Sequence, residues 1–169
     1  VRDEMLRAGR LCLRPAHPDD AVELAPHLMR LDVLEVEALG RDPLEALTLP
    51  FFYGHGAETV TCWRDDGIII GMGGVFPFRV GQGAVWYLGR DEIRETPRDA
   101  IILAKRYLAQ LRKTYSWLGN IIIDGDPERA RLIRNMGFDI GADVTQYSDI
   151  AFRSFGWKAD GPERDGGPV

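Results

Sequence analysis

Three strand-like runs lie side by side in the middle of the chain, at Thr59 to Arg64, Ile68 to Phe76 and Ala84 to Leu88. Helical periods precede and follow them, so the chain reads as an α+β domain. The Asp65-Asp66-Gly67 turn joins the first two runs as a hairpin. Gly71, Gly73 and Gly74 interrupt the second run, which predicts a bulge or a close backbone approach. A nucleotide loop is the poorer reading of these glycines, because no helix follows them directly.

Before this block, Leu11 to Pro15 reads as a strand, and His17-Pro18-Asp19-Asp20 opens a helix whose apolar positions continue to Gly40. Pro26 splits that helix in two, and Pro43 starts a further helical turn through Leu44 and Leu47 before Pro50. After the block comes the strongest helix. From Pro97 its apolar face carries Ala100, Ile101, Ala104, Tyr107, Leu108 and Leu111, with Thr96 as the expected N-cap. Leu118 to Ile123 then reads as a buried strand. A short helix runs from the Asp126 cap to Met136 and stops at Gly137. Phe138 to Tyr147 and Ile150 to Phe155 supply one or two closing strands. The expected organisation is one domain over residues 1–157 and a Gly/Pro-rich, extended tail over residues 158–169.

Charge narrows the function. The 169 residues hold 21 Lys plus Arg against 26 Asp plus Glu, a net charge of −5, which argues against direct nucleic-acid binding. No apolar run reaches the roughly 18 residues of a membrane span, and the N-terminus is charged rather than signal-like. The two cysteines, Cys12 and Cys62, suit a reducing compartment. The three histidines are scattered, so no metal site is expected. His55, between two glycines, reads as loop. Arg30, Asp32 and Glu35 read as a solvated helix face with one i, i+5 or cross-element pair.

The element order resembles the GNAT N-acetyltransferase fold, and within it the internal virion protein A family of podophages. The residues that carry the resemblance are Gly71 to Gly74, Trp86 to Asp91, Tyr115, Leu118, Asn120, Gly125 and Gly137, with Arg14-Pro15-Ala16 and Asp20 near the start. It implies an α/β sandwich: a mixed central sheet of about six to seven strands with helices on both faces. It also implies acetyl-CoA as the cofactor of the enzymes in the superfamily, held by a Gly-rich loop at the start of the long helix. Successive backbone N–H groups and the helix dipole would surround the pyrophosphate there.

In this chain the loop position is Arg90 to Asp99, which has no glycine, a proline and four carboxylates. If acetyl-CoA binds, Arg94, Thr96, Arg98 and Asn120 are the residues to hold it. The family's usual tyrosine acid falls at Ile133, which has no proton to donate. Tyr107 and Tyr115 read as amphipathic core residues, and Glu35, Glu37 or a water remain as alternatives for a general base. These departures argue against acetyl transfer, so no catalytic residue and no cofactor are expected. The resemblance then implies a protein of tailed-phage assembly, in the host cytoplasm or the virion. Its partners would be other virion proteins or copies of itself, met through Trp157, Trp86 and Tyr87. The alternative is an N-acetyltransferase with an atypical pyrophosphate loop.

Overall fold

The computed structural model describes residues 3–160. Eight strands form one sheet: β1 (Leu6–Ala8), β2 (Leu11–Pro15), β3 (Thr59–Arg64), β4 (Ile69–Arg79), β5 (Gln82–Gly89), β6 (Trp117–Ile123), β7 (Asp139–Tyr147) and β8 (Ile150–Lys158). Their spatial order is β1-β2-β3-β4-β5-β6-β8-β7. Among the described residues five α-helices accompany them: α1 (Pro18–Leu24), α2 (Arg30–Ala38), α3 (Pro43–Phe52), α4 (Pro97–Leu111) and α5 (Pro127–Asn135). The sheet is mixed, as expected, but larger than six to seven strands. The extra strand is β1, three residues that turn into β2 at Gly9 with φ +51°. So short a segment carries no period of its own.

Helix starts follow the local chemistry. His17 Nδ1 accepts from the Asp19 N–H while Asp20 Oδ2 accepts from the His17 N–H, which closes a reciprocal cap on α1 with Pro18 in the first turn. Pro26 does divide the first helical stretch: Ala25–His27 is a 3-10 turn, and α2 begins afresh at Arg30. Pro50, by contrast, does not end α3, which continues to Phe52. One N–H is lost there, so late in the helix that only the last turn feels it.

Helices cover both faces. On one, Ala21, Leu24, Val36 and Leu47 of the first three helices pack on Ile69, Met72 and Leu88. On the other, Leu103 of α4 meets Leu11, Leu13, Val60 and Ile70. Farther along, Leu108 packs with Val75, Leu118, Met136, Phe138 and Phe155. Leu24, Leu47, Ile69, Ile70, Met72 and Leu118 are each 0% exposed, and burying such a side chain contributes about 1.5–3 kcal/mol. Cys12 and Cys62 are free and buried, and burial pushes the Cys62 thiol up to about 12. That is a packed thiol, not a reactive one.

The glycines of β4 turn out to be a floor. A Cβ at Gly71, Gly73 or Gly89 would run into Tyr87, whose ring lies across all three. Gly73 pairs with Tyr87, and Gly71 with Gly89, in a regular antiparallel register. Close approach is why glycine stands there, and the expected bulge lies on the other edge of β4, where the β3 register shifts between Cys62–Gly71 and Trp63–Ile69.

At the C-terminal end, Trp157 is part of β8, opposite Leu118 of β6, and the Ala159 N–H donates to Ser116 O at 2.9 Å. Trp157, expected to meet a partner, is held by sheet pairing and core packing within its own domain. Residues 161–169 of the expected tail lie outside the described residues.

Candidate functional site

One joint in the sheet differs from all others. β5 and β6 run parallel, and pair only at Gln82–Trp117, Gly83–Leu118 and Ala84–Gly119. Beyond that the two strands diverge, β5 to Gly89 and β6 to Ile123. A cleft opens between backbones that have lost their ladder partners, and such groups must be satisfied otherwise. Asn120 serves the apex: its Nδ2 donates to Val85 O at 2.9 Å, in place of the next ladder bond.

Farther out, the chain satisfies the strands with its own carboxylates. Asp32 Oδ2 accepts from the Gly89 N–H of β5 at 2.8 Å. Glu35 Oε1 accepts from the Ile123 N–H of β6 at 3.1 Å. Arg129 of α5 binds both, with Nη2 2.7 Å from Asp32 Oδ1 and Nη1 2.7 Å from Glu35 Oε1. Asp32 is 1% exposed, Glu35 15% and Arg129 18%. The Met29 N–H adds a backbone bond to Gly89 O at 2.8 Å, so α2 is fastened to the end of β5 from two sides.

The reading of Asp32 and Glu35 as a solvated face is thus overturned: they turn inward, because the diverging strands need acceptors there. Burial raises the pKa of both carboxyls above the ordinary value, against the opposing pull of Arg129. Burial also works against the Arg129 charge, yet Glu35 and Asp32 together hold its pKa above the usual arginine range. Of the three alternatives for a base, Glu35 alone is brought to the cleft as a side chain. Glu37 of the same helix is exposed. The sequence signal that existed was the i, i+3 spacing of two carboxylates on a helix whose other positions, Arg30 and Glu37 apart, are apolar.

The loop beside the cleft is a tight turn, and the expected Thr96 cap is missing from it. Asp91–Glu95 is a 3-10 turn, in which the Ile93 N–H donates to Arg90 O at 3.2 Å and the Thr96 N–H to Ile93 O at 3.1 Å. The amides of Ile93 and Thr96 therefore bond to backbone carbonyls, while the Glu92 N–H donates to its own carboxylate. Its cations are matched by neighbouring carboxylates: Arg90 with Glu92 at 3.2 Å, Arg94 with Asp91 at 3.2 Å and with Glu128 at 4.0 Å. Glu95 pairs with Arg64 at 2.7 Å. Thr96 does not cap α4: it makes no side-chain cap bond, and its buried Oγ1 has no partner among the described residues. Its φ of −132° and ψ of 51° do not place the hydroxyl over the first turn. Arg98 is exposed in that turn.

Of the residues named for a cofactor, Arg94, Thr96 and Arg98 thus share one segment, while Asn120 sits at the apex of the cleft. A pyrophosphate cradle asks for several free, converging amides and a close backbone approach. Turn bonds already employ the amides of Ile93 and Thr96, and Pro97 has none. The residues present do not fit that group.

The aromatic residues split. Trp86 packs with the α1–α3 core, whereas Tyr87 lies on the opposite face with 43% of its surface exposed. Trp157 is partly buried, with the Arg112 guanidinium 4.9 Å from its ring centroid. The structure does not gather these three into one surface. Tyr107 is a core residue, as expected, with its hydroxyl 3.4 Å from Glu58 O. Ile133 packs against the α4 core. Among the described residues no group of His, Cys, Asp and Glu is arranged to hold a metal ion. No described helix is long and apolar enough to cross a membrane.

No family model matches the chain, and neither does any curated protein sequence. Solved structures do. Ard1 from Thermoplasma volcanium is 13% identical, with a TM-score of 0.68 over 89% of this chain and 98% of its own. The spermidine N-acetyltransferase from Vibrio cholerae, solved with CoA and spermine, is 13% identical, with a TM-score of 0.67 over 88% of this chain and 95% of its own. The phosphinothricin acetyltransferase from Sinorhizobium meliloti, solved with acetyl-CoA, is 15% identical, with a TM-score of 0.61 over 89% of each chain. With the parallel, diverging β5–β6 joint and helices on both faces, this chain has the GNAT acetyltransferase fold.

Proposed function

We propose that this GNAT-fold chain works by contact with other proteins and not by acetyl transfer. The observation that carries the reading is the Asp32–Arg129–Glu35 bridge, which occupies the outer cleft and takes up the amides of Gly89 and Ile123. The 3-10 turn at Asp91–Glu95 supports it, since the amides of Ile93 and Thr96 and the cations Arg90 and Arg94 already have partners. The resemblance to the podophage family suggests the setting: a minor component or assembly factor of a tailed-phage virion, bound to other virion proteins.

A second reading is N-acetyl transfer. What favours it is Glu35, a buried carboxylate of raised pKa at the cleft, where a general base would act. Solved neighbours of the same fold hold CoA or acetyl-CoA.

Acetyl-CoA titration separates the two. A cofactor at a hundred times its dissociation constant stabilises the folded state by about 2.7 kcal/mol, enough to move a thermal midpoint by several degrees. The expected result is no shift. A saturable shift, lost in Arg94→Ala together with Arg98→Ala, would establish the second reading instead.

A further inference from the structure

The helical layer over the Met72 face carries a groove that the core does not use. Its walls are two stripes at helical spacing: Pro18 and Val22 on α1, and Leu44, Thr48 and Phe52 on α3. The space between them is about 470 Å³. The inward sides of the same helices, Ala21 and Leu24 on α1 and Leu47 and Pro50 on α3, already make the core contacts. What remains outside is unusually apolar: Val22 is 60% exposed, Leu44 41%, Phe52 84% and the adjoining Tyr53 63%. Isolated apolar residues on a surface are ordinary, but a contiguous set lining a concavity marks a place of contact. Thr48 adds no free donor, because its hydroxyl bonds back to Leu44 O at 2.8 Å.

Charge identifies the occupant. Asp19 stands on the α1 wall with Glu23 one turn farther on, and Asp42 and Glu45 stand at the start of α3. Arg41 is the cation beside them, and Glu45 takes it at 3.0 Å. The rim therefore carries net negative charge around an apolar floor. Two copies of this chain would bring like rims together, in a protein already at −5, so self-association through this face is opposed. We propose that the groove takes an amphipathic helix of another protein, with apolar side chains at i and i+4 and Lys or Arg flanking them. Leu44 to Phe52 is eight residues of rise, about 12 Å at 1.5 Å each, which suits roughly two turns of such a helix. The inference rests on the reading of this chain as a contact protein and names its partner's chemistry.

The test uses two synthetic peptides of about three helical turns, alike in their Leu/Phe stripe, one flanked by Lys and its twin by Glu. Binding is followed by fluorescence anisotropy at about 0.05 M and 0.5 M salt, against the wild type and against Phe52→Ser, Val22→Ser and Asp19→Asn/Glu23→Gln. All are exposed positions, and an unchanged thermal midpoint checks that each variant folds. The Lys peptide should bind the wild type at least about tenfold more tightly than its twin, and lose at least about tenfold in Phe52→Ser. Asp19→Asn/Glu23→Gln should weaken binding at low salt only. Equal binding of the twins, indifference to Phe52→Ser or no binding at all would overturn the proposal. So would a dimer in sedimentation that Phe52→Ser abolishes, because the occupant would then be a second copy. An acetyl-CoA midpoint shift on the same samples would overturn the contact-protein reading alone, whereas a failed peptide experiment without that shift would overturn the groove alone.

Discussion

Arg129 Nη2 lies 2.7 Å from Asp32 Oδ1, joining α5 to α2 across 97 positions of sequence. The same guanidinium reaches Glu35, and each carboxylate also receives a backbone amide from one of the two diverging strands. Four elements meet in this bridge: α2, β5, β6 and α5. Breaking a buried pair from one side leaves an uncompensated charge, which costs about 3–5 kcal/mol. Arg129→Gln is thus expected to lose about that much in urea denaturation, since two buried carboxylates then face each other unpaired. The triple replacement Asp32→Asn, Glu35→Gln, Arg129→Gln should recover part of the loss. A loss in Arg129→Gln below about 1 kcal/mol would place the bridge among ordinary surface pairs.

A pH dependence follows from the same three groups. Burial raises both carboxyl pKa values in the folded state, so the native chain binds their protons more tightly than the unfolded chain does. Their linkage contribution is fully present below the unfolded carboxylate pKa, about 4, and is lost as pH rises through the folded values. Wild type should therefore gain stability over Asp32→Asn/Glu35→Gln as pH falls from about 7 toward about 4. Denaturation midpoints of the two proteins at stepped pH measure this difference. A gap that shrinks with acidification would mean that Arg129 outweighs burial at this bridge.

The glycine floor offers a graded test. At Gly71 an added Cβ meets the hydroxyl end of the Tyr87 side chain, which can swing aside. At Gly73 it meets Trp86 O at 2.6 Å, a backbone atom held in the β4–β5 ladder. Gly73→Ala should accordingly cost more than Gly71→Ala, by about 1 kcal/mol or more, the usual scale of overpacking. Adding Tyr87→Ala should rescue the Gly71 variant and leave most of the Gly73 loss in place. Thermal midpoints of these four variants, the wild type and Tyr87→Ala suffice.

The ease of reading the fold against the difficulty of reading the site has a physical origin. Periods and breakers are local: Pro26, the Asp65-Asp66-Gly67 turn, Pro97 and Gly137 each act on the few residues around them, and the elements appear where those signals put them. β1 escaped because three residues make no period, and α3 outran Pro50 because a late proline removes only one helical bond. The bridge is of another kind. Nothing near Asp32 or Glu35 in sequence says that a parallel joint will open between β5 and β6, or that Arg129 will arrive from α5. The loop at Asp91–Glu95 stands between the two cases. Its missing glycines are plain in the sequence, but its turn bonds and the idle Thr96 hydroxyl arise only in the folded chain.

The cap of α5 ties helix stability to the bridge. Asp126 Oδ1 accepts from the Glu128 N–H at 3.1 Å and from the Arg129 N–H at 3.2 Å, so the residue that starts the helix also fixes the backbone of the bridging arginine. Asp126→Asn keeps an acceptor in place and should be nearly neutral, whereas Asp126→Ala should cost about 0.5–2 kcal/mol. Loss of the cap lets the first turn fray, and Arg129 lies in that turn. Asp126→Ala should then also weaken the bridge, so its cost should fall when Arg129→Gln is already present. A double-mutant cycle on Asp126→Ala and Arg129→Gln measures this, with a coupling of about 0.5 kcal/mol or more expected. Strict additivity would show the cap and the bridge to be independent. Equal losses from Asp126→Asn and Asp126→Ala would show that the negative charge at the helix start matters more than the acceptor.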